Sequence, residues 1–251
     1  MKSILNQLDM FFYKLDMFSR YKKKILFIVF WTVLSVSFLF SAFIIVLKAN
    51  GYQFNYKQWK VIQTGMIILD GTPHGAKINV NGRLNGRQLP TRLQALAPGS
   101  YEISVFTEGY QNWQRIIRVD EGKAVSFQNI VLFFSNPEEC RVPNSNLTID
   151  QLKQAMTQNN PDLKILGNEI FYQEKLVTRF SSDVLAASIY PDNQHLVFQI
   201  DNQIRVIELD GSNNTLLLNL KTTNPSAFIF ANNDKTIVYL DQDQIYAKNI
   251  R

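Results

Sequence analysis

His74, His195, Cys140 and a scatter of aspartates are the side chains with which this chain could hold a metal or move a proton. Both histidines are expected in polar turns, and neither has a Cys or second His at metal-ligand spacing. With one cysteine, a zinc site would have to combine carboxylates with two histidines far apart in sequence. Asp192, Asp201, Asp210, Asp234, Asp241 and Asp243 suggest calcium, yet Asp is favoured in turns for local hydrogen bonding alone. No Gly-x-Gly-x-x-Gly, phosphate-binding loop or Gly-x-Ser-x-Gly elbow occurs. The expectation is therefore a non-enzymatic chain without catalytic residues, metal or cofactor. What remains is surface chemistry. Tyr110 and Trp113, just past a turn, form either an aromatic platform for a glycan or a plug in the end of a small sandwich.

The elements that position such surfaces start with a membrane segment. Residues 25–47 are 23 uncharged positions, 17 of them Ile, Leu, Val or Phe, without Gly or Pro. As a helix the run is roughly 34 Å long, against a hydrocarbon core of about 30 Å. A cleaved leader would have a shorter apolar region and a small-x-small cleavage site, where Phe43–Leu47 offers bulky residues. Residues 1–24 carry six Lys or Arg, including the cluster Arg20, Lys22, Lys23 and Lys24, against Asp9 and Asp16; residues 48–70 carry only Lys48, Lys57 and Lys60. This bias predicts a cytoplasmic N-terminus and an extracytoplasmic remainder. Residues 48–251 then hold 20 basic and 19 acidic side chains, net +1, so the positive excess has a topogenic origin and no nucleic-acid surface is implied.

Leu5, Leu8, Phe11, Phe12, Leu15 and Phe18 predict an amphipathic helix in the 1–24 tail, either docking a cytoplasmic partner or lying on the inner leaflet. Beyond the membrane segment, the 48–63 linker places Tyr52, Phe54, Tyr56 and Trp59 at the level of an outer aromatic belt.

Between Thr64 and Phe134 apolar runs become short and alternate, separated by turn dipeptides. Ile78 and Val80 oppose Lys77 and Asn79; Tyr101, Ile103 and Val105 oppose Glu102 and Ser104. A break is expected at Asp70-Gly71-Thr72-Pro73, a tight hairpin at Asn81-Gly82, and another at Glu121-Gly122 joining Trp113–Val119 to Ala124–Leu132. Five to seven strands in this span predict a small β-sandwich. Pro73-His74-Gly75-Ala76, Asn81-Gly82, Leu96-Ala97-Pro98-Gly99-Ser100-Tyr101 and Glu108-Gly109-Tyr110 resemble, in order, the pattern of PEGA domains. His74 stands where that family's tetrapeptide has Glu. The resemblance implies a small surface β module of envelope proteins, often behind a membrane anchor, with structural or binding roles and no agreed catalytic residues.

Residues 135–162 are expected to be a linker with one helix, opened by the capping-box pattern Thr148-x-x-Gln151. A repeat follows: Ser188–Asn193, Leu196–Phe198 and Gln203-Ile204 recur as Phe228–Asn233, Ile237–Tyr239 and Gln244-Ile245, at an offset of 40 and then 41 residues. A half-copy lies at Leu163–Tyr172. The period is that of a propeller blade, and Tyr190-Pro191-Asp192-Asn193 resembles the Ser-Pro-Asp-Gly turn of Tol-associated and WD-type propeller repeats. Two and a half blades cannot close a ring of at least four. A piece of a longer product, an open stack of sheets, or completion by another chain are the arrangements left, with a truncated or degenerate propeller preferred.

The expected fold class is thus mainly β: one N-terminal transmembrane helix, a PEGA-like sandwich over 64–134 and a partial propeller-like meander over 163–251. The expected function is envelope scaffolding or binding, with the lipid bilayer and envelope proteins or polysaccharide as partners. The alternative is a sensory or regulatory subunit that signals through the anchor to a cytoplasmic partner.

Overall fold

No glycine or proline precedes Gly51, and nothing stops the first helix, α1, which runs unbroken from Lys2 to Ala49. The computed structural model describes the backbone at residues 2–55, 59–144, 146–158 and 162–251, and side chains in the same stretches from residue 24 onward. The expected tail helix and membrane segment are thus one helix. The amphipathic stripe of the tail and the side chains of Arg20, Lys22 and Lys23 lie outside the described residues, as does Tyr56. From Lys24 to Ala49 the helix is long and apolar enough to cross a membrane, and its large side chains are exposed, Phe38 by 71%.

The helix ends where Gly51 turns left-handed at φ +79°, a conformation a Cβ would disfavour. Gly51 N–H donates to Lys48 O at 3.0 Å, while the Asn50 side-chain amide donates to Val46 O at 2.8 Å. A hairpin follows at once, of β1 (Tyr52–Asn55) and β2 (Lys60–Gln63). Thr64 fastens its base by donating to Gly51 O through both its amide and its hydroxyl. These residues form one compact unit, Met1–Thr64; Gly65–Arg251 forms the other.

The second unit begins as a seven-strand sandwich. Its strands are β3 (Gly65–Thr72), β4 (Lys77–Val80), β5 (Arg83–Gln88), β6 (Thr91–Leu96), β7 (Gly99–Phe106), β8 (Trp113–Val119) and β9 (Ala124–Val131). One sheet has the order β6-β3-β9, the other β5-β4-β7-β8. Alternation buries Ile67, Leu69, Ile78, Ile103, Val105, Ile117 and Val119 between them. Burying such side chains is worth about 1.5–3 kcal/mol each.

Two sequence expectations are corrected here. The Asp70-Gly71 break is a bulge inside β3, which continues to Thr72 beside Ile130 and Val131 of β9. Glu121-Gly122 closes no hairpin: β8 edges one sheet, and β9 crosses to pair in parallel with β3 in the other. That crossing gives the apolar face of β9 a core to enter.

Past the sandwich come β10 (Glu138–Glu139) and α2 (Ile149–Gln158). Thr148 and Gln151 reciprocate across the start of α2, Thr148 N–H to Gln151 Oε1 at 3.0 Å and Gln151 N–H to Thr148 Oγ1 at 3.3 Å. Three antiparallel meanders follow. The first is β11 (Leu163–Leu166), β12 (Glu169–Tyr172) and β13 (Lys175–Arg179). The second is β14 (Val184–Ile189), β15 (His195–Ile200), β16 (Gln203–Glu208) and β17 (Thr215–Asn219). The third is β18 (Phe228–Ala231), β19 (Thr236–Asp241) and β20 (Gln244–Asn249).

The meanders stack face to face. In β15, Leu196 and Phe198 pack toward the first meander and Val197 toward the third. In β19, Ile237 and Tyr239 pack toward the second, while Val238 and Leu240 meet Leu152 of α2. Among the described residues the stack does not close into a propeller. The expected half-copy at Leu163–Tyr172 is the start of a three-strand meander that runs on through β13. Strand β10, from the expected linker, adds a fourth strand to the third meander by pairing Glu138 with Asn249 and Glu139 with Lys248. Phe134 N–H to Ile250 O and Cys140 N–H to Ala247 O extend that pairing, so the outer edge of β20 is covered.

Candidate functional site at the sandwich–repeat junction

Residues 130–133 belong to two cores at once. Ile130 and Leu132 point into the sandwich; Val131 and Phe133 point into the core between the second and third meanders. The period-two alternation of an extended chain makes this possible. Phe133 sets its ring edge-on to Tyr190, with centroids 5.6 Å apart.

Beside this strand lies a polar seam. Trp113, at the start of β8, is 4% exposed and donates its indole N–H to Glu208 Oε1 at 2.5 Å. Glu208, closing β16, also accepts from Arg115 Nη1 at 2.8 Å, Asn213 Nδ2 at 2.7 Å and Ser212 Oγ at 3.2 Å. Arg115 reaches on to Asp210 and lies over the Phe127 ring at 4.9 Å. Gln114 N–H donates to Asn213 Oδ1 at 3.0 Å, and Gln111 donates to Leu216 O. A carboxylate with four donors is fully engaged and has no lone pair to spare for chemistry.

The expected aromatic platform is therefore not an open surface. Trp113 is buried, and Tyr110 is half-buried with its ring 4.6 Å from that of Phe134. Both rings pack into the sandwich core, where their apolar area is worth more than against water. The motif turns fasten backbone. Gly75 N–H donates to Leu89 O and Leu89 N–H to Ala76 O, close to the Pro73 and His74 turn. Asn81, with Gly82 in the turn, exchanges bonds with Glu102. Beyond Pro98-Gly99, the Tyr101 hydroxyl donates to Ala97 O at 2.7 Å. Gly109 O accepts from Ser135 N–H, and Tyr110 bridges Phe134.

His74 is exposed, but His195 is not in a polar turn: it begins β15 and is 5% exposed. Its Nδ1 lies 2.6 Å from Asp192 Oδ2, a pairing that elsewhere orients a general base. Here the neighbouring cavity, lined by His195, Trp113, Gln111 and Thr215, holds about 20 Å³. That is room for roughly one water, so the dyad serves the turn. The other Asp192 oxygen accepts from the Gln194 and His195 amides, with Asn193 at φ +55°. Asp241 is likewise engaged by the Lys221 and Thr222 amides. Among the described residues no group of three or more His, Cys, Asp or Glu could hold a metal ion.

Two tyrosines are shifted by this packing. Burial pushes the Tyr190 phenol far above its usual range, and its hydroxyl donates to Asp234 O. Burial, then the Glu139, Asp241 and Tyr246 charges, pushes Tyr239 up to about 12.

Open concavities flank the seam. One of about 570 Å³ is lined by Gln111, Asn136, Asn219 and Lys248 among others, and one of about 450 Å³ by His74, Asn129, Asp192, Asp234 and Arg251 among others. Sequence reasoning missed Glu208, Arg115 and Asn213 because their partners lie 93 to 99 residues away. It also missed Gln199, fully buried, which receives the Ser226 amide at 2.7 Å and ties the second meander to the third. A glutamine amid the apolar run of β15 was the available signal.

No curated protein matches this chain at a significant level of similarity. Residues 64–131, the sandwich that supplies β8 and the shared strand, match the PEGA domain family.

Proposed function

We propose that this is a non-enzymatic, single-pass membrane protein whose PEGA sandwich and repeat stack act outside the membrane as one rigid binding or scaffold body in the cell envelope. The observation that carries it is the apolar helix Lys24–Ala49, followed after the β1–β2 hairpin by a PEGA match. The excess of Lys and Arg in residues 1–24 supports a cytoplasmic N-terminus. The engaged state of Glu208, Asp192 and Asp241 supports a structural use of the acidic groups. The concavities lined by amide side chains and Lys248 suit hydroxyl-rich polysaccharide or a polar protein loop.

The test places a cysteine at Ile116, which is 75% exposed, in a Cys140→Ser background. An impermeant maleimide should label it in intact cells. Labelling only after lysis would sink the topology. Pull-down by residues 65–251 on cell-wall polysaccharide, against extracytoplasmic proteins, then sorts the ligand class.

One observation favours a sensory subunit as a second reading. The backbone of α1 is continuous from Lys2 through Ala49, a stiff connection from tail to exported region. Deleting residues 2–20 while keeping Lys22–Lys24 leaves a scaffold working and silences a sensor.

A further inference from the structure

We propose that the β1–β2 hairpin lies in the membrane–water interface, with the face bearing Phe54, Val61 and Trp59 turned into the boundary between lipid headgroups and acyl chains. The proposal rests on the anchor reading above and adds a second, peripheral membrane contact to it.

Three observations within the first unit carry it. Phe54 and Val61 are directly opposite in the hairpin register, so their side chains share one face. The Trp59 ring stands edge-on to Phe54 at 5.9 Å and 89°. Exposures of 41% for Phe54, 55% for Val61 and 82% for Trp59 make this a contiguous apolar surface on a very small element. The opposite face carries Gln53 and Asn55, with Ile62 across from Gln53 and Lys60 across from Asn55. The exposed side chains thus split by face, Phe54, Val61 and Trp59 on one and Gln53 and Lys60 on the other, a contrast that suits a lipid surface.

Its position limits what can cover that face. Tyr52 follows Ala49 by three residues, a reach of about 10 Å at full extension. An element tied so closely to the end of a spanning helix sits at the depth where tryptophan and tyrosine concentrate. Lys48, in the last turn of α1, and Lys60 are both exposed and long enough to reach lipid phosphates.

The conformation points the same way. Two strands of four residues are marginal alone in water. Trp59 also takes φ +50°, an uncommon backbone region for a bulky residue. Burying the indole in the interface offsets that conformational cost and orders the hairpin.

The test uses the full chain with Cys140→Ser, carrying single nitroxide labels at Phe38→Cys, Val61→Cys or Gln53→Cys. It is reconstituted in vesicles of phosphatidylcholine and phosphatidylglycerol. Collision with oxygen is compared with collision with a water-soluble nickel chelate. The expected order of oxygen preference is position 38, then 61, then 53. A label at 61 as open to nickel as the one at 53, with 38 still shielded, overturns the hairpin proposal alone. A label at 38 open to nickel overturns the anchor reading and the proposal with it.

Discussion

The indole nitrogen of Trp113 sits 2.5 Å from Glu208 Oε1, joining residues 95 positions apart. One end belongs to the first strand position of β8, the other to the last of β16. Glu208 is thereby the acceptor on which the sandwich and the second meander meet. Glu208→Ala strips Trp113, Arg115 and Asn213 of one acceptor together and should cost about 2–3 kcal/mol in urea unfolding of residues 65–251. Ile116→Ala, at an exposed neighbour on the same strand, should change stability by less than about 0.5 kcal/mol. Equal effects would mean that the seam contributes nothing.

Phe133 probes the shared strand. Removing a ring that is 4% exposed and set edge-on to Tyr190 should cost about 3–5 kcal/mol. Because residues 130–133 serve two cores, Trp113 fluorescence and far-UV dichroism should report one coincident transition in the unmutated fragment. Two resolved transitions would mean that the sandwich and the repeat stack are energetically separate.

Gly71 and Gly82 should differ in cost for a geometric reason. A Cβ on Gly71 would lie 2.1 Å from Ile130 O, backbone that cannot swing aside, whereas one on Gly82 meets nothing within 4 Å. Gly71→Ala should therefore cost about 3 kcal/mol or more. Gly82→Ala carries only the left-handed penalty at φ +73°, about 1 kcal/mol. Thermal melts of the two variants check the order.

Tyrosine ionisation sets an alkaline limit. Tyr239 is held up to about 12 by burial and nearby negative charge, and Tyr190 is raised further by burial. Unfolded, both lose their protons near 10. Between pH 10 and 12 the unfolded chain therefore binds fewer protons than the folded one, and stability falls as pH rises; below 10 their contribution is fully present. Absorbance titration should show native phenolate appearing later than in urea, and Tyr239→Phe should reduce that lag.

Helix α2 can be tested at its cap. Thr148→Ala removes the acceptor of the Gln151 amide and should cost about 1 kcal/mol. Leu152, one residue on and fully buried against Val238 and Leu240, should cost about 2–5 kcal/mol when cut to Ala. Far-UV dichroism and urea midpoints separate the two effects.

Local chemistry alone determined much of this protein. The apolar run of α1, the alternation of Ile78, Ile103 and Val105, the Asn81-Gly82 turn and the Thr148/Gln151 box each follow from interactions within a few residues. Only tertiary structure decided the rest. Period-two patterning says which face of a strand is apolar but not which sheet it joins, so β9 left the expected hairpin for a parallel pairing with β3. Trp113 could be assigned to a ligand or to a core only once β16 delivered Glu208 to it. The missing strand of the third meander likewise came from upstream, as β10. Backbone hydrogen bonds and desolvated charges take whatever partner the fold brings near, and that proximity is not written in local sequence.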